Sequence, residues 1–262
     1  MSIVEQLDSL FRESGAGLRR EMDRRGPTLA KVTNVTDPEK FNRVKCLPVG
    51  SENTEETDWC YVTAAAGGME YGFFWFPRVD DLVLLDYLDG DPHRPVVIGR
   101  LWTTEVKPPY TIADGKVQDY ALRTPSGIEL LMHDEEEKHK VTLIMPSGAT
   151  LVLDDEAQKV ELRDKESQNA LLMDLKEGGI TLQAAKKIEL SAGKAALTIE
   201  EAGNITAKGE SKVAVQGANI EAKASAGLTL EGGSQAAVKS NGTLELTASG
   251  NTTVKGLMVN IN

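Results

Sequence analysis

The residues of this chain that could do chemistry are few: three histidines, two cysteines and some clustered carboxylates. His93, His133 and His139 are scattered without metal-ligand spacing, so they read as surface or turn residues. Asp89 and Asp91 flank Gly90 and precede Pro92, a combination that makes a tight turn rather than a carboxylate pair. The acidic runs 134–137 and 154–156 fit no calcium-loop template and read as solvated hairpin tips. Cys46 and Cys60 could pair, but two cysteines are no disulfide framework, and free buried thiols in a reducing compartment fit better. No nucleophile elbow, Walker loop or paired zinc motif occurs. The expectation is a protein with no catalytic residue, no bound metal and no cofactor.

The elements that carry these residues are unevenly composed. Every Trp, Tyr and Phe lies at or before Tyr120, every Pro at or before Pro146, and both Cys before position 61. The front can build an aromatic-aliphatic core; the rear, made of Ala, Gly, Thr, Lys, Glu and small aliphatics, must stay folded another way. A net charge of −11 argues against nucleic acid bound through its phosphates. The first residues hold no apolar leader and no run is long enough to span a membrane, so the sequence predicts a chain made in the cytoplasm that does not leave by the signal-peptide route.

Residues 2–25 show helical spacing, with Ile3, Val4, Leu7, Leu10 and Phe11 on one stripe. Ile3, Leu7, Leu10 and Phe11 are the candidate docking residues for a partner. Short strands follow at 28–35, 43–47, 58–63, 71–76, 82–87 and 95–101, separated by turn signals such as Asp37-Pro38-Glu39-Lys40 and Asp89-Gly90-Asp91-Pro92. That many short strands in about 75 residues suit a small OB-like barrel, which also removes exposed edges.

Beyond this lies a repeat. Pro125-Ser126-Gly127 and Pro146-Ser147-Gly148 recur, each followed by an alternating strand and an acidic turn, with a looser third copy near Asn169. The unit is a β-hairpin of about 20 residues. After Gly178 the period shortens to about eight, with apolar i, i+2 pairs: Ile180/Leu182, Ile188/Leu190, Leu197/Ile199, Val213/Val215, Leu228/Leu230 and Leu244/Leu246 among them. Ordering eight residues costs on the order of 12 kcal/mol. Two aliphatic side chains return only a few kcal/mol at roughly 25 cal/mol per Å². A chain of such units therefore needs complete burial and full backbone pairing. A monomeric parallel β-helix has longer coils and a bulkier interior, so these pairs predict an intertwined trimer whose core they form.

The residues now match something familiar. Ala30-Lys31-Val32-Thr33-Asn34-Val35-Thr36-Asp37-Pro38-Glu39, Arg43-Val44-Lys45 and Trp59-Cys60-Tyr61-Val62 resemble the start of the OB domain in contractile-tail spike proteins. The stretch from Gly72-Phe73-Phe74-Trp75-Phe76-Pro77 through Asp80-Asp81-Leu82-Val83-Leu84 to Gly90-Asp91-Pro92-His93-Arg94-Pro95 is similar to that family's later pattern. Over about residues 28–262 the chain resembles the phage baseplate assembly protein V and VgrG-like spike group. The resemblance implies a homotrimeric needle on a baseplate hub protein, driven through a target membrane by sheath contraction. No large hub-like domain precedes the barrel and 102–124 is too short for a lysozyme domain, which implies the short kind of spike on a separate hub. No His-x-His lies near Met258-Val259-Asn260-Ile261-Asn262. The expectation is a PAAR-type tip protein seated on Leu257, Val259, Ile261 and Asn262.

The fold expected is thus all-β: an N-terminal helical segment (1–27), an OB-fold barrel (28–105), a linker (106–124), β-hairpin repeats (125–178) and an octad-repeat triple-stranded β-helix, or β-prism (179–262). The alternative is an OB-fold binding module for oligonucleotide or sugar, trimerised by a β-helical stalk.

Overall fold

The computed structural model describes residues 26–50, 55–112 and 114–261. The helix expected over residues 2–25 lies outside the described residues. The chain divides into two compact units, 1–185 and 186–262. Among the described residues the secondary structure is all strand, apart from one short 3-10 turn at Leu88–Gly90.

The first unit opens with strands β1 (Thr28–Asn34), β2 (Lys45–Pro48), β3 (Tyr61–Val62), β4 (Gly67–Gly68), β5 (Tyr71–Gly72), β6 (Leu82–Tyr87) and β7 (Pro95–Arg100). Five of them form one sheet in the order β2-β1-β6-β7-β3, antiparallel except for the parallel β3–β7 pair. An isolated bridge between Val44 and Cys60 links the β2 end to the β3 end and closes the ring. This is the five-stranded barrel of an OB-fold. Alternation fills it: Val83, Leu85 and Tyr87 from β6 point in, joined by Ala30, Val32, Val44, Cys46, Cys60 and Val97. Both cysteines are buried free thiols; the hydrogen bond to Cys60, with burial, pushes the Cys46 thiol up.

One strand differs from expectation. Of 71–76, only Tyr71–Gly72 forms a strand, in a two-residue ladder with Gly67–Gly68; beyond it the Phe73 N–H still bonds to the Ala66 carbonyl, and 73–78 forms no strand. Alternating aromatics suggest a half-buried strand, but here Phe73 and Trp75 stack on one side and Phe74 and Phe76 meet on the other, with the segment mostly exposed.

A second sheet in the same unit is a seven-stranded antiparallel meander: β8 (Asp119–Arg123), β9 (Glu129–Glu135), β10 (Lys138–Ile144), β11 (Thr150–Asp154), β12 (Lys159–Arg163), β13 (Ala170–Asp174) and β14 (Gly179–Gln183). Its turns explain the Pro-Ser-Gly period. In both copies glycine takes a positive φ, +94° at Gly127 and +87° at Gly148, and its N–H bonds back to Thr124 or Met145. Upstream, the Tyr110 hydroxyl bonds to the buried Glu129 carboxylate, which Arg123 also approaches at 3.7 Å. That bond, with burial, pushes the Tyr110 phenol up to about 12.

The second unit begins with a three-stranded antiparallel meander, β15 (Lys187–Ala192), β16 (Ala195–Glu200) and β17 (Ile205–Lys208). From 209 to 261 no strand is present, yet bends recur regularly, at 210–211, 218–219, 225–226, 233–234, 241–242, 249–250 and 257, about one octad apart.

Candidate functional site

Two surfaces stand out, one along the rear of the chain and one on the barrel. The first is apolar. Because strand side chains alternate, the register of the seven-stranded sheet sorts its residues strictly. One face carries two unbroken rungs. Tyr120, Met132, Val141, Leu153, Val160, Met173 and Ile180 pair in sequence across the strands, and so do Leu122, Leu130, Leu143, Leu151, Leu162, Leu171 and Leu182. The opposite face holds a charged rung, Asp119-His133-Lys140-Asp154-Lys159-Asp174, with contacts of 2.7 Å (His133–Asp119), 2.6 Å (Lys140–Asp154) and 3.8 Å (Lys159–Asp174). The hydrogen bond that His133 makes to the Asp119 carboxylate raises the His133 pKa, and the Lys140 ammonium lowers that of Asp154. At the acidic tips 134–137 and 154–156, Glu135 pairs with Lys138 at 3.2 Å and Asp155 lies 3.7 Å from the His139 ring. Among the described residues no group of three or more such side chains could hold a metal ion.

The apolar face is bare. Ile180 is 70% exposed, Leu182 50% and Leu162 49% in the single chain. An uncovered apolar surface of this extent marks an interaction face. The second unit continues the pattern. Ile188 lies opposite Ile199 and Leu190 opposite Leu197, while Leu197 and Ile199 meet Ala207 and Ile205. Beside Leu190, Leu197 and Val213 lies an open hollow of about 400 Å³.

Further on, Val213, Val215, Leu228, Leu230, Leu244 and Leu246 are all more than half exposed, as are Leu257 and Ile261, with Val259 only slightly less so. Among the described residues 209–261 no backbone N–H or C=O bonds to another backbone group. The bonds found there involve side chains, such as the Gly242 N–H to the Ser240 hydroxyl. Ile3, Leu7, Leu10, Phe11 and Asn262 lie outside the described residues. The apolar face from Leu122 to Met173 was not singled out among the candidate core residues, although the same i, i+2 apolar signal runs through Leu130/Met132, Val141/Leu143, Leu151/Leu153 and Leu171/Met173.

The second surface is polar and aromatic. Val44, Cys46 and Cys60 point into the barrel, so their neighbours Arg43, Lys45, Trp59 and Tyr61 face out. Asp37 organises the corner. Its carboxylate accepts the backbone N–H groups of Glu39 and Phe41 and a two-point contact from Arg43 at 2.9 Å. The Arg43 guanidinium holds that carboxyl well below the usual carboxylate range. The guanidinium also lies 5.3–6.0 Å from the ring centres of Phe41, Trp59 and Tyr61. The β6–β7 loop adds His93, bonded to Asp58 at 2.9 Å, and Arg94, bonded to Asp89 at 2.6 Å. The Asp58 carboxylate raises the His93 pKa. Between these parts lies a groove of about 370 Å³. Neither Arg43 nor this groove figured among the candidate site residues, because the parts come from three separate stretches of sequence.

The fold is a closed OB barrel together with antiparallel meanders, and the seven-stranded meander bares one apolar face. Comparison with known sequences narrows it. Residues 28–102 match the family described as the type VI secretion system/phage-baseplate injector OB domain. The chain is 31% identical over 131 residues to the actin cross-linking toxin VgrG1 of Vibrio cholerae, a match covering 45% of this chain and 12% of that protein. It is 33% identical over 100 residues to the type VI secretion system spike protein VgrG2a of Pseudomonas aeruginosa, 35% of this chain and 12% of the relative. Over 107 residues it is 33% identical to the spike protein VgrG3 of Vibrio cholerae, 38% of this chain and 10% of the relative. The match thus spans only 10–12% of these larger proteins. Residues 28–102 are thus an injector-type OB domain, and over 100–131 residues the chain is similar to VgrG spike proteins.

Proposed function

We propose that this chain is the central spike of a contractile injection system or phage-like baseplate. In this reading three copies wind together, each contributing one apolar face to a shared axis. The apolar rungs from Leu122 to Leu182 form the base of the core. Ile188, Leu190, Leu197, Ile199, Val213, Val215, Leu228, Leu230, Leu244 and Leu246 continue it. Ile3, Leu7, Leu10 and Phe11 dock on the hub protein of the baseplate. Leu257, Val259, Ile261 and Asn262 seat a PAAR-type tip protein. Sheath contraction drives the assembly through a target membrane, so the work is mechanical and no residue acts as a catalyst.

The observation that carries this reading is the state of 209–261. Its segments bend at octad intervals, yet among the described residues their backbone groups bond to no other backbone group and their apolar pairs are uncovered. Buried backbone groups are almost always paired, and an extended segment can pair only with another extended segment. Neighbouring copies supply that partner while completing burial of the aliphatic pairs, each side chain worth about 1.5–3 kcal/mol when fully buried. The antiparallel pairing throughout 119–208 also speaks against a monomeric parallel β-helix. Amide hydrogen exchange on the full chain tests the reading. Amides of 209–261 are expected to be protected like those of the barrel core, and exchange at the rate of open chain would overturn it.

A further inference from the structure

The barrel groove has no part in the spike reading, and its chemistry is specific. Its floor and walls are Trp59 and Tyr61 from one side and Leu88 and Pro95 from the other, with Arg43, Asp58, His93 and Arg94 at the rim. The strands and loops that build it are those at which OB-folds hold ligands: the β1–β2 loop with Asp37 and Arg43, strand β3, and the loop joining the last two barrel strands. At about 370 Å³ it falls in the range of small-ligand sites.

Its charges decide what would fit. Arg43 is paired with Asp37 and Glu39, Lys45 with Glu56, His93 with Asp58 and Arg94 with Asp89. Carboxylates thus match or outnumber cations, and a polyphosphate would meet no net positive field. A peptide strand finds no open edge, since β3 is paired with β7 and bridged to β2. What remains is a set of polar atoms with no protein partner among the described residues. Donors include Arg43 Nη1, Trp59 Nε1 and Arg94 Nη2; Asp58 Oδ1 accepts; the Tyr61 hydroxyl can do either. Flat aromatic faces ringed by mixed donors and acceptors suit a ring that is apolar on its faces and hydroxylated at its edge.

We propose that this groove binds an uncharged oligosaccharide, of the hexose or N-acetylhexosamine type. The sugar ring lies against Trp59 and Tyr61, and its hydroxyls exchange hydrogen bonds with Asp58, His93 and the two arginines. The inference stands on the barrel alone and survives any outcome for the oligomer.

Titration of the full chain with chitotetraose and with maltotetraose, followed by calorimetry and tryptophan fluorescence, tests it. At least one sugar is expected to bind saturably, with affinity unchanged between about 50 and 200 mM salt. Tyr61→Ala and His93→Ala, both at exposed positions, are expected to weaken binding at least about tenfold with circular dichroism unchanged, a loss of about 1.4 kcal/mol. Tyr71→Ala, outside the groove, is expected to leave it intact. Failure of both sugars to bind, or binding indifferent to Tyr61 and His93, overturns the proposal. So does an oligothymidylate that competes at these residues with strong salt dependence, since that assigns the groove to nucleic acid.

Discussion

The OB barrel and the octad tail solve the problem of a stable β structure in opposite ways. The barrel closes on itself: its strands pair around a ring, and Ala30, Val32, Cys46, Cys60, Val83 and Leu85 are fully inaccessible. The stretch 209–261 has neither a core nor backbone pairing of its own. The same chain thus holds a part with a core of its own and a part that, on the proposed reading, takes its order from neighbouring copies. The difference lies in side-chain size and period. Bulky residues alternating over six-residue strands can fill a barrel, whereas two small aliphatics per octad would, on the proposed reading, line a narrow shared axis.

Substitutions can break this contrast, beginning where the effect should be greatest. Leu228→Asp with Leu230→Asp is expected to abolish oligomer formation, because three copies would gather carboxylates round one axis at a cost of several kcal/mol per ion. Sedimentation should then report a monomer, while near-ultraviolet circular dichroism of the barrel stays native; an undisturbed oligomer would refute the core assignment. Leu85→Ala should do the reverse, costing the barrel about 2–5 kcal/mol in denaturant unfolding without changing the oligomer. A smaller, pH-dependent effect is expected from Asp37→Asn. The Asp37 carboxyl is depressed by Arg43, so its contribution is complete above the unfolded-chain value of about 3.9 and is lost as pH falls below it. Wild type should therefore melt above the variant at pH 7, with the gap narrowing in acid. His133 runs the other way and should have the smallest effect. Its pKa is raised by Asp119, so its contribution is full below the unfolded-chain value of about 6.5 and fades as pH rises past the folded one. His133→Gln should flatten that part of the pH-stability curve.

Much of the contrast was legible in the sequence. The strand at 82–87 and the tight turn after it follow from an apolar run ending in Asp-Gly-Asp-Pro, and the octad period survives in the bends. Of the strand expected over 71–76 only Tyr71–Gly72 pairs, because aromatic alternation reports which side chains want cover and not whether a strand lies beside them. The apolar face before Ile180 carried its signal openly in Leu130/Met132 and its successors, but the 20-residue hairpin period drew attention to the turns instead. The groove was not legible. Arg43, Trp59 and His93 are far apart in sequence, and only closure of the barrel through Val44 and Cys60 brings them together.

The central claim, that the tail is ordered by copies of itself, is tested most directly by the mass of the purified chain in solution. Light scattering coupled to size exclusion is predicted to give about 85 kDa, three times the 28.3 kDa of one chain. A single species near 28.3 kDa with its tail still protected from proteolysis would contradict the account.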